Sequence, residues 1–154
     1  MTPRPEKFLV QSICTLFIFL FVYTAVSKLY SFTSFHYVLS KSPLIGGFNN
    51  ILAWGIPISE LSIAGLLLPA RTKLLGLFAS FFLMSAFTLY LAFMILFTQD
   101  LPCSCGGIVG RLGWGTHLVL NMFLTGLSLA GISSYRNQKQ TSARTYKKKE
   151  VAIT

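Results

Sequence analysis

Two cysteines separated by a single residue are the side chains of this sequence best suited to chemistry. Cys103 and Cys105 lie in residues 100–115, a segment that also holds five of the twelve glycines. A thiolate is both a nucleophile and a metal ligand, so the pair predicts either thiol–disulfide exchange or metal binding. A structural staple is the plainer alternative, but a disulfide across one residue closes almost no loop and adds little stability. The spacing therefore favours a chemical role.

A Cys103–Cys105 disulfide would close a small and strained ring. Pro102 before the pair, and Gly106 and Gly107 after it, permit unusual backbone angles. Strained and exposed disulfides are stronger oxidants than buried structural ones. We therefore expect a pair that cycles between dithiol and disulfide.

Metal binding is the alternative for the same two residues. Two thiolates would hold Cu(I), with His117 as a third ligand. Neither His117 nor His36, the other histidine, has the spacing to the cysteines that zinc sites show, so we do not expect zinc. The plainer interpretation of His117 is a polar residue at a helix start. Cys14 lies inside an apolar run and is expected to be inert.

Long apolar runs are the elements that would position these side chains. Hydrophobic residues make up 53% of the chain and charged residues 11%. Four runs are long enough to cross a bilayer as helices at about 1.5 Å per residue. They are residues 8–26, 51–68, 74–97 and 114–132. We predict an all-α integral membrane four-helix bundle over residues 1–134, with an outward Cys-x-Cys loop before the fourth span. A cleaved signal peptide is the alternative for the first run, which is longer than the usual apolar region of such peptides.

Two further segments flank these spans. Leu29, Phe32, Phe35 and Leu39 recur at helical spacing, which predicts a short amphipathic helix at the membrane interface, ending at Ser42. Residues 135–154 are polar and basic and lack apolar periodicity. We predict that they form a disordered cytoplasmic tail.

The basic residues predict the orientation. Ten of the thirteen lie in the N-terminus, the connection 69–73 and the tail, and three lie in the other two loops. This positive-inside asymmetry predicts cytoplasmic termini and cysteines on the outer face of the membrane. That side is oxidising in bacteria and in the secretory pathway, so a disulfide there persists. It also accounts for the net charge of +9 without nucleic acid, for which no binding motif is present.

One carboxyl group, that of Glu60, lies inside a predicted span. Such a group is costly in a bilayer and normally faces the bundle interior with a partner. Lys28, just past the first span, is the expected partner. The pair would either lock two helices together or let Glu60 take up and release a proton. Asn121 in the fourth span is expected to form an interhelical hydrogen bond.

Several motifs carry a resemblance to a known family. They are YTAVSKL at residues 23–29, PISEL at 57–61, CSCGG at 103–107, and Trp114 with Asn121 beyond them. In order and spacing over residues 8–132, the chain resembles the MauE family of methylamine utilisation and the related DoxX-like proteins. The resemblance implies a redox site of Cys103 and Cys105, supported by Glu60, Lys28, Trp114 and Asn121.

The resemblance implies a function in thiol–disulfide redox chemistry at the outer face of a bacterial inner membrane. MauE is linked to maturation of methylamine dehydrogenase, and DoxX-type proteins to quinone-coupled oxidation of sulfur compounds, so quinone is an implied cofactor. The implied partner is a periplasmic thioredoxin-like protein or a dithiol client. A non-catalytic Cu(I)-binding or escort protein is the alternative. Gly106 replaces the aromatic residue usual after the second cysteine, and Leu120 replaces an arginine often found before the asparagine.

Overall fold

The computed structural model describes residues 5–42, 45–97 and 114–151. Within these ranges the chain is helical and contains no strand. The elements are α1 (Pro5–Tyr30), α2 (Phe32–Lys41), a 3-10 turn (Gly46–Phe48), α3 (Asn49–Leu67), α4 (Lys73–Phe97) and α5 (Trp114–Val151). Cys103 and Cys105 lie outside the described residues.

Four of these helices are long and apolar enough to cross a membrane. The candidate spans are Lys7–Tyr30, Gly46–Leu67, Lys73–Phe97 and Gly115–Thr141. The predicted all-α membrane bundle with four spans is thereby confirmed. The first helix continues past the predicted end of its span, because no glycine or proline interrupts residues 27–30, and Lys28 therefore lies in its last turn.

The four long helices form a ring in which each packs mainly against two neighbours, and α1 and α4 also touch across it. α1 packs against α3 and α5, and α4 packs against the same two helices. The connection of residues 68–72 joins α3 and α4 at one end of the bundle. There, Lys73 Nζ donates a hydrogen bond to Gln11 Oε1 at 2.7 Å, and the Tyr135 hydroxyl donates to the Ala70 carbonyl at 2.8 Å. We call the other end, where α2 lies, the α2 end. Neighbouring helices are consequently antiparallel.

Bulky apolar side chains fill the centre of this ring. Phe17, Phe21, Leu67 and Leu77 are fully buried, and Cys14 is buried among them. Many large apolar residues on the outer faces are exposed, as a lipid-facing surface requires. The bundle is thus apolar both inside and outside.

The predicted short helix is present as α2. It begins at Phe32 and ends at Lys41, and the backbone N–H of Ser42 bonds to the Leu39 carbonyl at its end. Val38 and Leu39 are buried, and the Phe32 ring packs against Trp54 of α3 with 4.9 Å between ring centroids. This packing holds α2 against the start of α3.

The structure differs from the sequence prediction beyond residue 134. We predicted a disordered tail over 135–154, whereas α5 continues without a break to Val151. Residues 133–151 contain no glycine or proline, and lysine, arginine, glutamine and alanine are good helix formers. Extending an existing helix avoids the cost of nucleation, so a polar sequence remains helical when it continues a membrane span.

Candidate functional site

A buried ion pair near the α2 end is the most polar feature of the described interior. Lys28 Nζ lies 2.6 Å from Glu60 Oε1 and donates a hydrogen bond to it. The Glu60 side chain is 1% exposed and that of Lys28 is 19% exposed. The predicted contact between these two residues is confirmed, and it joins α1 to α3.

Helical periodicity places Glu60 on the inner face of α3. The buried residues of this helix recur every three or four positions: Ala53, Pro57, Glu60, Ile63, Ala64 and Leu67. Glu60 occupies the middle of this otherwise apolar stripe. The same periodicity is visible in the sequence, and it is the signal that places the carboxyl group inside.

Two aromatic rings flank the Lys28 ammonium group. Its nitrogen lies 5.9 Å from the ring centroid of Phe35 on α2 and 5.7 Å from that of Phe87 on α4. A cation over an aromatic face gains about 0.5–2 kcal/mol, more when desolvated. Lys28 therefore contacts three helices besides its own. The sequence did not indicate this role for either phenylalanine, since aromatic residues occur throughout the apolar runs.

The two oxygens of the Glu60 carboxyl group differ in their surroundings. Oε1 accepts the hydrogen bond from Lys28, whereas Oε2 is buried without a hydrogen-bond partner among the described residues. Thr24 on α1 is a nearby hydroxyl, but it donates to the Phe21 carbonyl at 3.2 Å. The ion pair as a whole is electrically neutral, and its acceptor atom Oε2 lacks a donor among the described residues.

Two hydrogen bonds hold α2 against its neighbouring helices at this end of the bundle. His36 Nε2 donates to Asn50 Oδ1 at 3.0 Å, which ties α2 to α3. The Tyr90 hydroxyl donates to Ser42 Oγ at 3.1 Å, which ties the end of α2 to α4. Ser42 is itself buried. The sequence did not indicate these contacts, because they join residues that are distant in the chain.

On α5, His117 and Asn121 lie in the same helix face, one turn apart. His117 is half-buried and within electrostatic range of Lys28. Asn121 is buried, and its Nδ2 donates to the His117 carbonyl at 3.0 Å. Among the described residues, this hydrogen bond of Asn121 lies within α5, and the interhelical bond that we expected from Asn121 stays a prediction. The contact with α4 is made one turn further on, where the Thr125 and Thr88 hydroxyls lie 3.4 Å apart.

A family model described as methylamine utilisation protein MauE matches residues 6–134. The chain belongs to the MauE family. It is accordingly a multi-pass membrane protein of methylamine utilisation. The match spans α1 to α4 and the membrane-crossing part of α5, and it includes the segment with both cysteines. Searches of curated proteins and of solved structures gave no significant match.

In this MauE protein the helices that flank the segment with both cysteines end and begin at the α2 end of the bundle. Cys103 and Cys105 belong to the segment that joins the end of α4 at Phe97 to the start of α5 at Trp114. The side chain of Trp114, like both cysteines, falls outside the described part of the chain. No three His, Cys, Asp or Glu side chains of the described residues group as a metal site. The Cu(I) hypothesis, which needs both cysteines, stays a prediction.

Cys14, the third cysteine of the MauE chain, lies in the core of the bundle. Its side chain is 0% exposed and packs in the core with Phe17 and Leu67. It is a free thiol. Its position agrees with the prediction of an inert residue buried in the first span.

Proposed function

We propose that this MauE protein is a thiol–disulfide redox component that supports disulfide formation in a periplasmic partner. The observation that carries the proposal is a Cys-x-Cys pair held between two membrane spans of a methylamine-utilisation protein. Cys103 and Cys105 are the reacting residues. Lys28 and Glu60 support them by holding the α2 end together, and Trp114 and Asn121 support them at the start of α5.

The reaction is a two-electron exchange. The thiolate of a client cysteine attacks the Cys103–Cys105 disulfide, whose S–S bond breaks as a mixed disulfide forms. The second client thiolate then displaces the remaining thiolate of the pair. The client gains a disulfide, and Cys103 and Cys105 gain the two electrons and two protons as a dithiol.

A second oxidant must restore the disulfide, since the sequence has one other cysteine and that residue is buried in the core. The oxidant is the disulfide of a thioredoxin-like partner or a membrane quinone, which accepts the two electrons and two protons. The charge asymmetry of the loops supports an orientation with the α2 end outward and both termini in the cytoplasm of a bacterial cell.

The test is a redox titration of the purified full-length protein, with and without Cu(I). We expect a two-electron midpoint clearly less reducing than the values below about −300 mV that are typical of structural disulfides. Cys103→Ser and Cys105→Ser should each abolish the titration while leaving helical content and membrane insertion intact. Cys14→Ser is the matched control and should leave the midpoint unchanged.

The Cu(I) arm separates the redox role from the escort role. A pair that stays reduced across physiological potentials, and binds Cu(I) tightly in a one-to-one ratio, would overturn the proposal. Loss of Cu(I) binding in His117→Ala would then place that residue in the metal site. With a redox-active pair, a Cys105→Ser or Cys103→Ser single variant should instead trap a mixed disulfide with the client.

A further inference from the structure

The Glu60 oxygen without a hydrogen-bond partner, Oε2, lies in an environment that is unfavourable for a carboxylate. It is buried in the middle of an apolar stripe, and no described side chain or backbone group donates to it. A buried acceptor without a donor loses its hydration and gains no bond in return. A second species that binds Oε2 would therefore relieve this cost.

The packing limits what that species can be. The Glu60 side chain is 1% exposed, and towards the 68–72 end the interior is closed by Ile63, Phe17 and Leu67. A proton is the ligand that needs no cavity at all. It also removes the negative charge of the fully buried partner and leaves the positive charge on Lys28, the more exposed side chain of the pair.

The route from solvent to Glu60 runs from the α2 end of the bundle. Lys28 is partly exposed, so its side chain connects the buried carboxyl group to the surface at this end. The opposite direction holds only the apolar core. A proton that reaches Glu60 therefore exchanges on the side of the membrane where α2 and the cysteine segment are attached.

The Lys28 ammonium group would keep its place when Glu60 becomes neutral. The rings of Phe35 and Phe87 lie on it from two other helices. This arrangement differs from a simple ion pair, in which neutralising one partner releases the other. The bundle can thus hold Glu60 in either charge state.

The charged and titratable groups around Glu60 are few. Lys28 is the charged side chain that acts on it electrostatically. The other titratable side chains that the structure describes at this end include Tyr23 on α1, the Lys41 and Tyr37 pair on α2, and His117 on α5. His36 on α2 is engaged with Asn50, and Tyr90 on α4 is engaged with Ser42. None of these hydrogen bonds involves Glu60.

We infer that Glu60 is a membrane-embedded proton-binding site, with Oε2 as the accepting atom and Lys28 as its positioning residue. Proton binding forms an O–H bond at Oε2, and the O–H bond of the hydronium ion that delivers the proton breaks and leaves water. The site does not require the thiol chemistry of Cys103 and Cys105. It provides a group that binds and releases one proton near the end of the bundle where the thiol chemistry is proposed.

Infrared spectroscopy of the full chain tests this inference, since a protonated carboxyl group has a carbonyl stretch that a carboxylate lacks. The sequence has three other acidic residues: Glu6, Asp100 and Glu150. Changing them to Gln, Asn and Gln leaves Glu60 as the sole acidic side chain. In this background we expect one carboxylic acid band of a group without solvent hydrogen bonds, which titrates reversibly with pH while the helical circular dichroism stays constant.

Adding Glu60→Gln to that background should remove the band, and Thr24→Val should leave it in place. The titration of the background variant by itself remains decisive if Glu60→Gln fails to fold. The inference is overturned if Glu60 stays ionised at every pH at which the chain is helical, or if its band appears only as helicity is lost. Cys103→Ser should not affect the band, so failure of the proton site and failure of the redox proposal are distinguishable.

Discussion

The ammonium nitrogen of Lys28 lies 2.6 Å from a carboxylate oxygen of Glu60, and the two residues are 32 positions apart in the chain. This pair joins the end of α1 to the middle of α3. The Phe35 and Phe87 rings on the ammonium group extend the contact to α2 and α4. One side chain therefore connects four of the five helices at the end where the cysteine segment is attached.

Removing one partner of this pair should cost more than removing both. Lys28→Met leaves a buried, unpaired carboxylate and should lower the free energy of unfolding by roughly 3–5 kcal/mol. Glu60→Gln should cost less, because Lys28 is 19% exposed and retains both rings. The double variant should be more stable than Lys28→Met alone. Unfolding in mixed micelles measures all three.

Lys73→Met serves as the control for the loss of a lysine. Its hydrogen bond goes to the neutral side chain of Gln11 at an exposed site, so the cost should be about 1 kcal/mol or less. Additive losses for Lys28→Met and Glu60→Gln would contradict an energetic coupling between the two residues.

A membrane-impermeant maleimide should distinguish the three cysteines. In intact cells treated with a reductant, the reagent should label Cys103 and Cys105 and miss Cys14, which is fully buried in the core. Single-cysteine variants allow each site to be counted by mass. Labelling of the loop pair only after permeabilisation would invert the orientation, and rapid labelling of Cys14 in the folded protein would contradict the packing of α1.

Gly76 should be intolerant of even one extra methyl group. A Cβ atom built there would lie 2.8 Å from Leu67 Cδ2 and 3.1 Å from the Leu67 backbone nitrogen, so α3 and α4 would have to separate. We expect Gly76→Ala to cost about 1–3 kcal/mol of stability, the usual range for overpacking. Thermal unfolding in detergent provides the measurement.

Gly126 on α5 is the matched control for this substitution. Nothing lies within 4 Å of a Cβ atom built there. Gly126→Ala should be neutral or stabilising by up to about 1 kcal/mol, since alanine has the higher helix propensity. Equal effects at the two glycines would show that helix propensity, rather than the close approach of α3 and α4, decides the outcome.

The helical continuation of α5 predicts the effect of a truncation. Ending the chain after Gln140 removes the helical residues 141–151. We expect circular dichroism to lose the signal of about ten helical residues, while the four spans and the contact of Tyr135 with Ala70 remain. An unchanged total helical signal would instead support the disordered tail that the sequence predicted.

The sequence by itself was sufficient for the spans, because crossing a bilayer requires about twenty consecutive apolar residues and charges interrupt them visibly. It was also sufficient to place Glu60 inside the bundle, since a charged group on the lipid face is too costly. The short helix α2 followed from the spacing of Phe32, Phe35 and Leu39, whereas Leu29, which we had grouped with them, lies at the end of α1. The cysteine pair was identified by residue type and spacing alone, and its role stays a proposal.

Only the tertiary structure decided what surrounds these groups. The cation–π contacts of Phe35 and Phe87 with Lys28 depend on how four helices pack together. Many other phenylalanines lie in similar apolar runs, so the sequence does not single out these two. Asn121 bonds within α5, and the hydroxyls of Thr88 and Thr125 meet between α4 and α5. The tail was misjudged for a related reason: apolar periodicity reports burial, whereas helix continuation depends on propensity and on a preceding helix that is already formed. Contacts between distant segments are set by packing, which local sequence patterns do not encode.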